Sequence, residues 1–366
     1  MPSPKPADTV PPGVAAVADY EPLARARIEP GAWAYYASGG ADEITLRENR
    51  AAYDRLKLEQ RVLVDFSKAG STAVTLFGQT FEHPILLAPV AYHQLAHPEG
   101  ELAVARGAGA AKAGMVVSTH ATFSLEDIAG AAGAPLWFQL YIKPDRGLTR
   151  ELVERAEKAG YKALVVTVDA PVTGVRNQQQ RLNFKLPAGV AAVNLPGESP
   201  MGGYGAKPGT LASGALAGVP TWKDIAWLRS FTKLPILVKG VMAAEDAARA
   251  AAEGVAGIVV SNHGGRSLDT VPATIEVLPR IAERVAGKVP LLVDGGIRRG
   301  SDVLKALALG ASAVLVGRPY LHGLAVAGSA GVAHVINLLR GELEMAMVLT
   351  GKKTLAEVDR TVFWQG

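Results

Sequence analysis

The stretch Ser261-Asn262-His263-Gly264-Gly265-Arg266-Ser267-Leu268-Asp269 sets a titratable imidazole three residues before a guanidinium, with two glycines between them. It follows Gly257-Ile258-Val259-Val260, a short β-branched apolar run that reads as a buried strand. A base and a fixed cation therefore sit where a strand meets solvent. An arginine fork grips a carboxylate at two points while a neighbouring histidine moves a proton, so the pair suits a small anionic substrate. Taken alone, His-Gly-Gly is equally an ordinary strand-to-helix turn with an incidental histidine. The two readings separate on whether other strands in the chain end the same way.

They do. Short apolar runs occur at 85–91, 115–119, 136–141, 163–169, 236–240, 258–263, 291–296 and 313–318. Their C-terminal ends carry Pro89-Val90-Ala91, Ser118-Thr119-His120, Gln139-Leu140-Tyr141, Thr167-Val168-Asp169, Lys239, His263 with Arg266, Asp294-Gly295-Gly296, and Gly317-Arg318. Buried Lys and Asp side chains need partners, so polar groups at nearly every strand end argue against chance. The last two ends have the form of a phosphate site. Glycines let backbone N–H groups approach the oxygens, and Arg298 and Arg318 supply charge; Arg299 reads as a surface residue.

The elements that must position these groups follow from the same runs. Between them lie Ala/Glu/Arg/Leu-rich stretches with helical spacing. Several end in glycine just before the next run, as in Lys112-Ala113-Gly114, Lys158-Ala159-Gly160, Ala252-Glu253-Gly254 and Ala308-Leu309-Gly310. Glycine after a helix, then a fully apolar strand, is the junction of a parallel sheet buried on both faces. Eight strands alternating with helices predict an α/β fold, a (β/α)8 TIM barrel, whose active site lies at the C-terminal strand ends. No Gly-x-Gly-x-x-Gly opens the first βα turn, which counts against a dinucleotide-binding fold. Residues 1–84 read as a cap, with helices over 18–37 and 42–49 and a strand candidate at 73–77. The barrel spans 85–350 and a tail 351–366. Residues 176–218 are rich in Gly and Pro and read as a long lid after the fourth strand, with the delayed helix over 222–231.

Composition bounds the rest. The chain has 366 residues, 49% of them hydrophobic and 20% charged, so it is globular and one barrel accounts for the length. The net charge of +4 is not gathered into a basic arm, so no nucleic-acid partner is expected and anionic small molecules are favoured. There is no cysteine, which excludes disulfides, thiolate chemistry and Cys-ligated zinc or iron–sulfur sites; no metal site is expected. No apolar run of membrane-spanning length and no signal peptide is apparent, and Pro-rich residues 1–14 read as a loose tail. The default is a soluble cytoplasmic protein with no membrane partner.

From about Tyr20 to the C-terminal helices the chain resembles the FMN-dependent (S)-2-hydroxy-acid oxidases and dehydrogenases, among them glycolate oxidase, lactate oxidase, mandelate dehydrogenase and flavocytochrome lactate dehydrogenase. The resemblance rests on the ordered set Tyr35-Tyr36-Ala37-Ser38-Gly39, Ala96-His97-Pro98-Glu99-Gly100-Glu101, Phe138-Gln139-Leu140-Tyr141, Leu237-Val238-Lys239-Gly240, Ser261 to Asp269 and Asp294 to Gly300. It implies FMN contacts from the backbone of Pro89, Val90 and Ala91. Ser118, Gln139, Thr167 and Lys239 would meet the polar edge of the isoalloxazine, with Ser261 beside them, and Asp294, Gly296, Arg298, Gly317 and Arg318 the ribityl phosphate. His263 would be the base, with Asp169 stabilising its imidazolium. Arg266, Tyr35 and Arg176 would hold the substrate carboxylate, and Tyr141 the substrate hydroxyl.

Two positions depart from glycolate oxidase, which has tryptophan where this chain has His120 and leucine where it has Thr173. Both line the substrate side-chain pocket in the family. His120 reads as a wall residue of that pocket; His97 and His93 read as structural. The expectation is oxidation of L-2-hydroxy acids, L-lactate ahead of glycolate, to 2-keto acids, with O2 as acceptor and H2O2 as product, by a homotetramer or octamer. One alternative is a dehydrogenase passing electrons to a quinone or cytochrome. Another is a non-redox phosphosugar barrel enzyme with Lys239 as a Schiff-base candidate.

Overall fold

The computed structural model describes residues 9–197, 209, 211, 216 and 218–365. Eight strands, β1 (Ile85–Leu87), β2 (Met115–Val117), β3 (Leu136–Leu140), β4 (Leu164–Thr167), β5 (Ile236–Val241), β6 (Gly257–Val260), β7 (Leu291–Asp294) and β8 (Ala313–Val316), lie in each of the expected runs. All pair in parallel, and β8 closes on β1 with Val314 opposite Ile85, giving a closed barrel in sequence order. The expected (β/α)8 barrel is what the chain forms. Each strand is followed by a helix: Gly100–Ala110, Leu125–Ala131, Arg146–Lys158, Trp222–Arg229, Ala244–Ala252, Thr274–Val285, Gly300–Ala308 and Arg318–Leu349.

The unbroken apolar character of the strands has two causes. Leu86, Val116, Trp137, Val165, Leu237, Val259, Leu292 and Leu315 fill the barrel interior, while alternate residues such as Leu87, Val117, Phe138, Val166 and Val238 pack outward on the helices. The antiparallel hairpin Val74–Leu76 and Gln79–Phe81 adds Leu76 and Phe81 to the interior cluster. Trp137 Nε1 donates to Gln79 Oε1 at 3.1 Å, and truncating such a buried indole costs about 3–5 kcal/mol. This closes the interior and leaves the C-terminal strand ends to carry chemistry.

The cap departs from the expected elements. The pattern over 18–37 is two helices, Tyr20–Arg25 and Pro30–Ala37, because Pro30 starts a new helix capped by Glu29, whose Oε2 accepts from the amides of Gly31 and Ala32. The second helix runs well past Asn49, as Ile44–Arg55. The tail is tied to the cap by bridges Leu58–Phe363 and Ser71–Thr354. Contrary to the sequence reading, Arg318–Leu349 is long and apolar enough to cross a membrane by length and composition. Two-thirds of its apolar window is buried in the fold, and non-helical Ala327 and Gly328 break it in two. Of the expected lid, 198–208, 210, 212–215 and 217 lie outside the described residues. Its first part is anchored: Asn177–Arg181 is helical, and Gln179, Phe184, Asn194 and Leu195 are buried.

Candidate active site

Asp169 follows β4 and His263 follows β6, so the carboxylate can meet the imidazole only across the end of β5. Gly240 lies at that crossing with φ +108°, and a Cβ there would stand 2.4 Å from the Cβ of Asp169. With glycine in place, Asp169 Oδ1 lies 2.9 Å from His263 Nδ1. Burial pushes the Asp169 carboxyl up, but the imidazole of His263, its hydrogen bond and the Lys239 ammonium outweigh this and hold it below the usual carboxylate range. Asp169 is therefore a carboxylate, Nδ1–H donates to it, and Nε2 is left as the basic nitrogen. The second oxygen, Oδ2, is buried and unpartnered.

Lys239 is buried beneath this pair, with Nζ 3.0 Å from Asp294 Oδ2 and donating to Ser261 Oγ at 2.9 Å. Burial lowers its pKa, yet Asp294 and Asp169 more than compensate and raise it above the ordinary lysine value. A lysine paired with two carboxylates and held protonated is poorly placed to act as a Schiff-base nucleophile. Asp294 stands with Lys239, and its Oδ1 is buried and unpartnered. Across the neighbouring strand ends Ser118 Oγ donates to Gln139 Oε1 at 3.3 Å and Gln139 Nε2 to Thr167 Oγ1 at 3.0 Å. Pro89, Val90 and Ala91 line the same cavity, of about 980 Å³.

Four arginines line it too: Arg176, Arg266, Arg298 and Arg318. Burial and then the Arg266 charge push Arg176 down to about 9, and its Nη1 has no partner. Burial and the charges of Arg266, Arg298 and Arg176 take Arg318 to about 9 as well, and burial lowers Arg298. The protein's own anions thus fail to balance the cavity, which calls for anionic ligands. The fork of Arg318 does not point freely at a phosphate. Nε donates to Tyr36 O at 2.9 Å, Nη1 to Gly264 O at 3.0 Å and Nη2 to Ser38 O at 3.1 Å, so its side chain clamps the cap while its backbone opens a helix at Gly317. Arg266 Nη1 likewise donates to Tyr35 O at 2.6 Å and Ser38 O at 2.9 Å, with its guanidinium 5.3 Å above the Tyr35 ring.

The remaining expected residues converge on the same space. Tyr141 lines the cavity, its hydroxyl pKa raised by burial and by Asp169. His120 stands edge-on to Tyr141 at 5.4 Å and 5.9 Å from Tyr92, as a wall does, and Thr173 lines the cavity with it. His93 and His97 are buried, away from it, His93 Nε2 lying 3.1 Å from the Tyr320 hydroxyl. Sequence reasoning missed Phe184, which stacks on Tyr35 at 5.6 Å, and Gln179, whose Nε2 donates to Ser38 Oγ at 3.4 Å. Both lie in the stretch read as unpatterned, where no periodicity marks them.

The sequence profile described as FMN-dependent dehydrogenase matches residues 24–365. The chain is 51% identical over 356 residues to L-lactate oxidase of Nostoc sp. (strain PCC 7120 / SAG 25.82 / UTEX 2576), covering 93% of this chain and 95% of that protein. It is 45% identical over 355 residues to glycolate oxidase 3 of Arabidopsis thaliana, covering 94% of each. A crystal structure of mandelate oxidase with benzoyl-formic acid superposes with a TM-score of 0.87 at 42% identity, covering 96% of this chain and 99% of that one. The chain belongs to the FMN-dependent dehydrogenase family, and FMN is its cofactor. The cavity fits that group: its unbalanced cations suit a phosphate, the unpartnered Asp294 Oδ1 can accept from a hydroxyl, and Lys239 with the Ser118, Gln139 and Thr167 row offers a polar edge.

Proposed function

We propose that this member of the family oxidises L-2-hydroxy acids to 2-keto acids, with O2 as acceptor and H2O2 as product, and prefers L-lactate to glycolate. The observation that carries the reading is the His263–Asp169 pair, 2.9 Å apart, set among Arg176, Arg266 and Tyr141 above a protonated Lys239. FMN, when bound, supplies the two-electron acceptor.

The chain's own residues do the rest. Arg266 and Arg176 hold the substrate carboxylate, with Tyr35 beneath Arg266, and Tyr141 receives the substrate hydroxyl. His263 Nε2 takes the proton released as the alcohol becomes a ketone. Asp169 keeps the imidazole in the right tautomer and stabilises the imidazolium. Lys239, Ser118, Gln139, Thr167 and Ser261 present donors and acceptors to the flavin edge. Pro89, Val90 and Ala91, which line the same cavity, offer backbone contacts to FMN. Gly296, Arg298, Gly317 and Arg318 furnish amides and charge for the phosphate, and Asp294 accepts a hydroxyl.

Support for oxygen as acceptor comes from relatives named oxidases. Support for lactate comes from His120 and Thr173, which make one wall smaller and more polar than tryptophan and leucine. A methyl side chain then gains room while glycolate gains nothing. The residence of the protein in the cytoplasm and its assembly as a homotetramer or octamer, a mass that light scattering reads directly, belong to the same proposal.

The test is a panel of L- and D-2-hydroxy acids assayed for peroxide, with and without artificial acceptors. L-lactate should head the list and D enantiomers should be poor. Turnover with artificial acceptors but no peroxide would replace the oxidase reading with the quinone- or cytochrome-linked dehydrogenase.

A further inference from the structure

The helix Ile44–Arg55 lies outside the barrel, yet it is bonded to both active-site loops. Its N-terminus is capped from the His263 loop: Asp269 Oδ1 accepts from Thr45 N at 2.8 Å, and Oδ2 from Asp42 N at 3.1 Å and Ile44 N at 3.3 Å. One and a half turns on, the side-chain hydrogen bonds of two consecutive residues diverge, while the Asn49 backbone also packs closely against Gly296. Asn49, almost fully buried, forms a reciprocal amide pair with Asn262: Nδ2 donates to Asn262 Oδ1 at 2.9 Å, and Asn262 Nδ2 donates back to Asn49 Oδ1 at 2.8 Å. Arg50 turns to the other loop, with Nη1 donating to Gly296 O at 2.8 Å and the fork gripping Asp302 at 2.5 and 3.1 Å.

What each contact controls follows from the next bond along. Asn262 Oδ1 also accepts from Gly265 N at 3.0 Å, so its side chain spans the turn that carries His263. That turn is three consecutive left-handed residues, His263 at φ +59°, Gly264 at +65° and Gly265 at +75°. A histidine in that region is strained and persists only where its surroundings hold it. Asn262 is the brace, and Asn49 is what the brace stands on. On the other side Asp302 Oδ2 accepts from the amides of Arg298 and Arg299 at 2.9 and 3.0 Å, so Arg50 fixes the 296–299 loop through a second residue. Neither Asn49 nor Arg50 lines the cavity.

We propose that Asn49 and Arg50 are positioning residues with divided duties: Asn49, through Asn262, sets the placement of the base His263, and Arg50, through Asp302 and Gly296, sets the affinity for FMN. The inference rests on the function proposed above.

The test compares Asn49→Ala and Arg50→Met in the full chain. FMN affinity is read from flavin fluorescence on dilution of the holoenzyme, and the base from the rate of flavin reduction by L-lactate at saturating FMN. Asn49→Ala should slow reduction about 10- to 100-fold and leave the FMN Kd within about threefold, as expected when a general base is displaced rather than removed. Adding Asn262→Ala to it should bring little further loss, because the two act as a unit. Arg50→Met should weaken FMN about tenfold or more, with the saturated reduction rate within about threefold. Asn49→Ser and Arg50→Lys serve if either variant fails to fold. Lowered thermal stability with both readouts unchanged would reduce the helix to a structural brace and overturn the proposal. So would equal movement of both readouts in both variants. If no 2-hydroxy acid reduces the flavin of the unmodified protein, the function assignment falls, and the Kd comparison alone still decides the Arg50 half.

Discussion

Replacing Asp169 with Asn keeps the shape of the carboxylate and removes its charge. In the folded protein the carboxylate sits 2.9 Å from His263 Nδ1 with a 9% exposed side chain, against 26% for the imidazole. With charge centres about 4 Å apart and an effective dielectric near 20, the attraction for an imidazolium is about 4 kcal/mol. Exposure of the ring screens part of this, leaving roughly 2–3 kcal/mol, or about 10²-fold in rate. The imidazolium forms only as the reaction proceeds, so the loss should fall on kcat and barely on KM. If the amide turns its NH2 toward Nδ1 and imposes the wrong tautomer, the loss rises toward roughly 10⁴-fold. Stopped-flow reduction of the flavin by L-lactate isolates this step from reoxidation. A rate within about threefold of the unmodified protein would refute the orienting role. Stability adds an independent check. The Asp169 pKa is depressed in the folded state, so its contribution is present above the ordinary carboxylate range and lost as pH falls through the depressed value. The unmodified protein should therefore be the more stable at neutral pH, and the difference should shrink below about pH 4.

Changing Arg266 to Lys should raise KM about tenfold or more despite the retained charge, since a point ammonium cannot both grip a carboxylate and hold the carbonyls of Tyr35 and Ser38; an unchanged KM would assign the carboxylate to Arg176. Arg176→Met should raise KM but also raise the melting temperature of the FMN-free protein by about 2 °C, because an unbalanced buried charge is removed; a lower melting temperature would mean that Arg176 is already balanced. Gly240→Ala should lose most activity and melt earlier by several degrees, since the added methyl drives Asp169 from His263 at a positive φ; wild-type kcat would contradict the crossing geometry. His120→Trp should move the preference from L-lactate toward glycolate by about tenfold in kcat/KM, the worth of one methylene of fit, and an untouched ranking would place the selecting wall elsewhere.

The barrel and the rim of its site were legible because both are written locally. A strand buried on two faces is apolar along most of its length, and the polar groups lie at its last residues or within three beyond them, so His263, Asp169, Lys239 and Asp294 could be read without knowing what they touch. Pro30 was legible in the same sense, as a residue that begins helices, and merging 18–37 into one helix overlooked it. Other features had no local mark. Asn49 and Asn262 are 213 residues apart, and Asp269 reaches Thr45 across 224. An asparagine on a helix of mixed composition looks like any surface residue until its partner is known. The second duty of Arg318 had no local mark either, since the carbonyls of Tyr36 and Ser38 that its fork also meets lie some 280 residues upstream. The chemistry is thus local in sequence and its alignment is not. Apart from Arg176 in the lid, the side chains that act on substrate sit at or just past strand ends, where the fold itself delivers them. Several of the side chains that hold them to tolerance, Asn49 and Arg50 among them, come from the cap, whose sequence carries only its own helical pattern. Substitutions in the cap should therefore change rate and cofactor affinity more than inspection of the barrel alone would suggest.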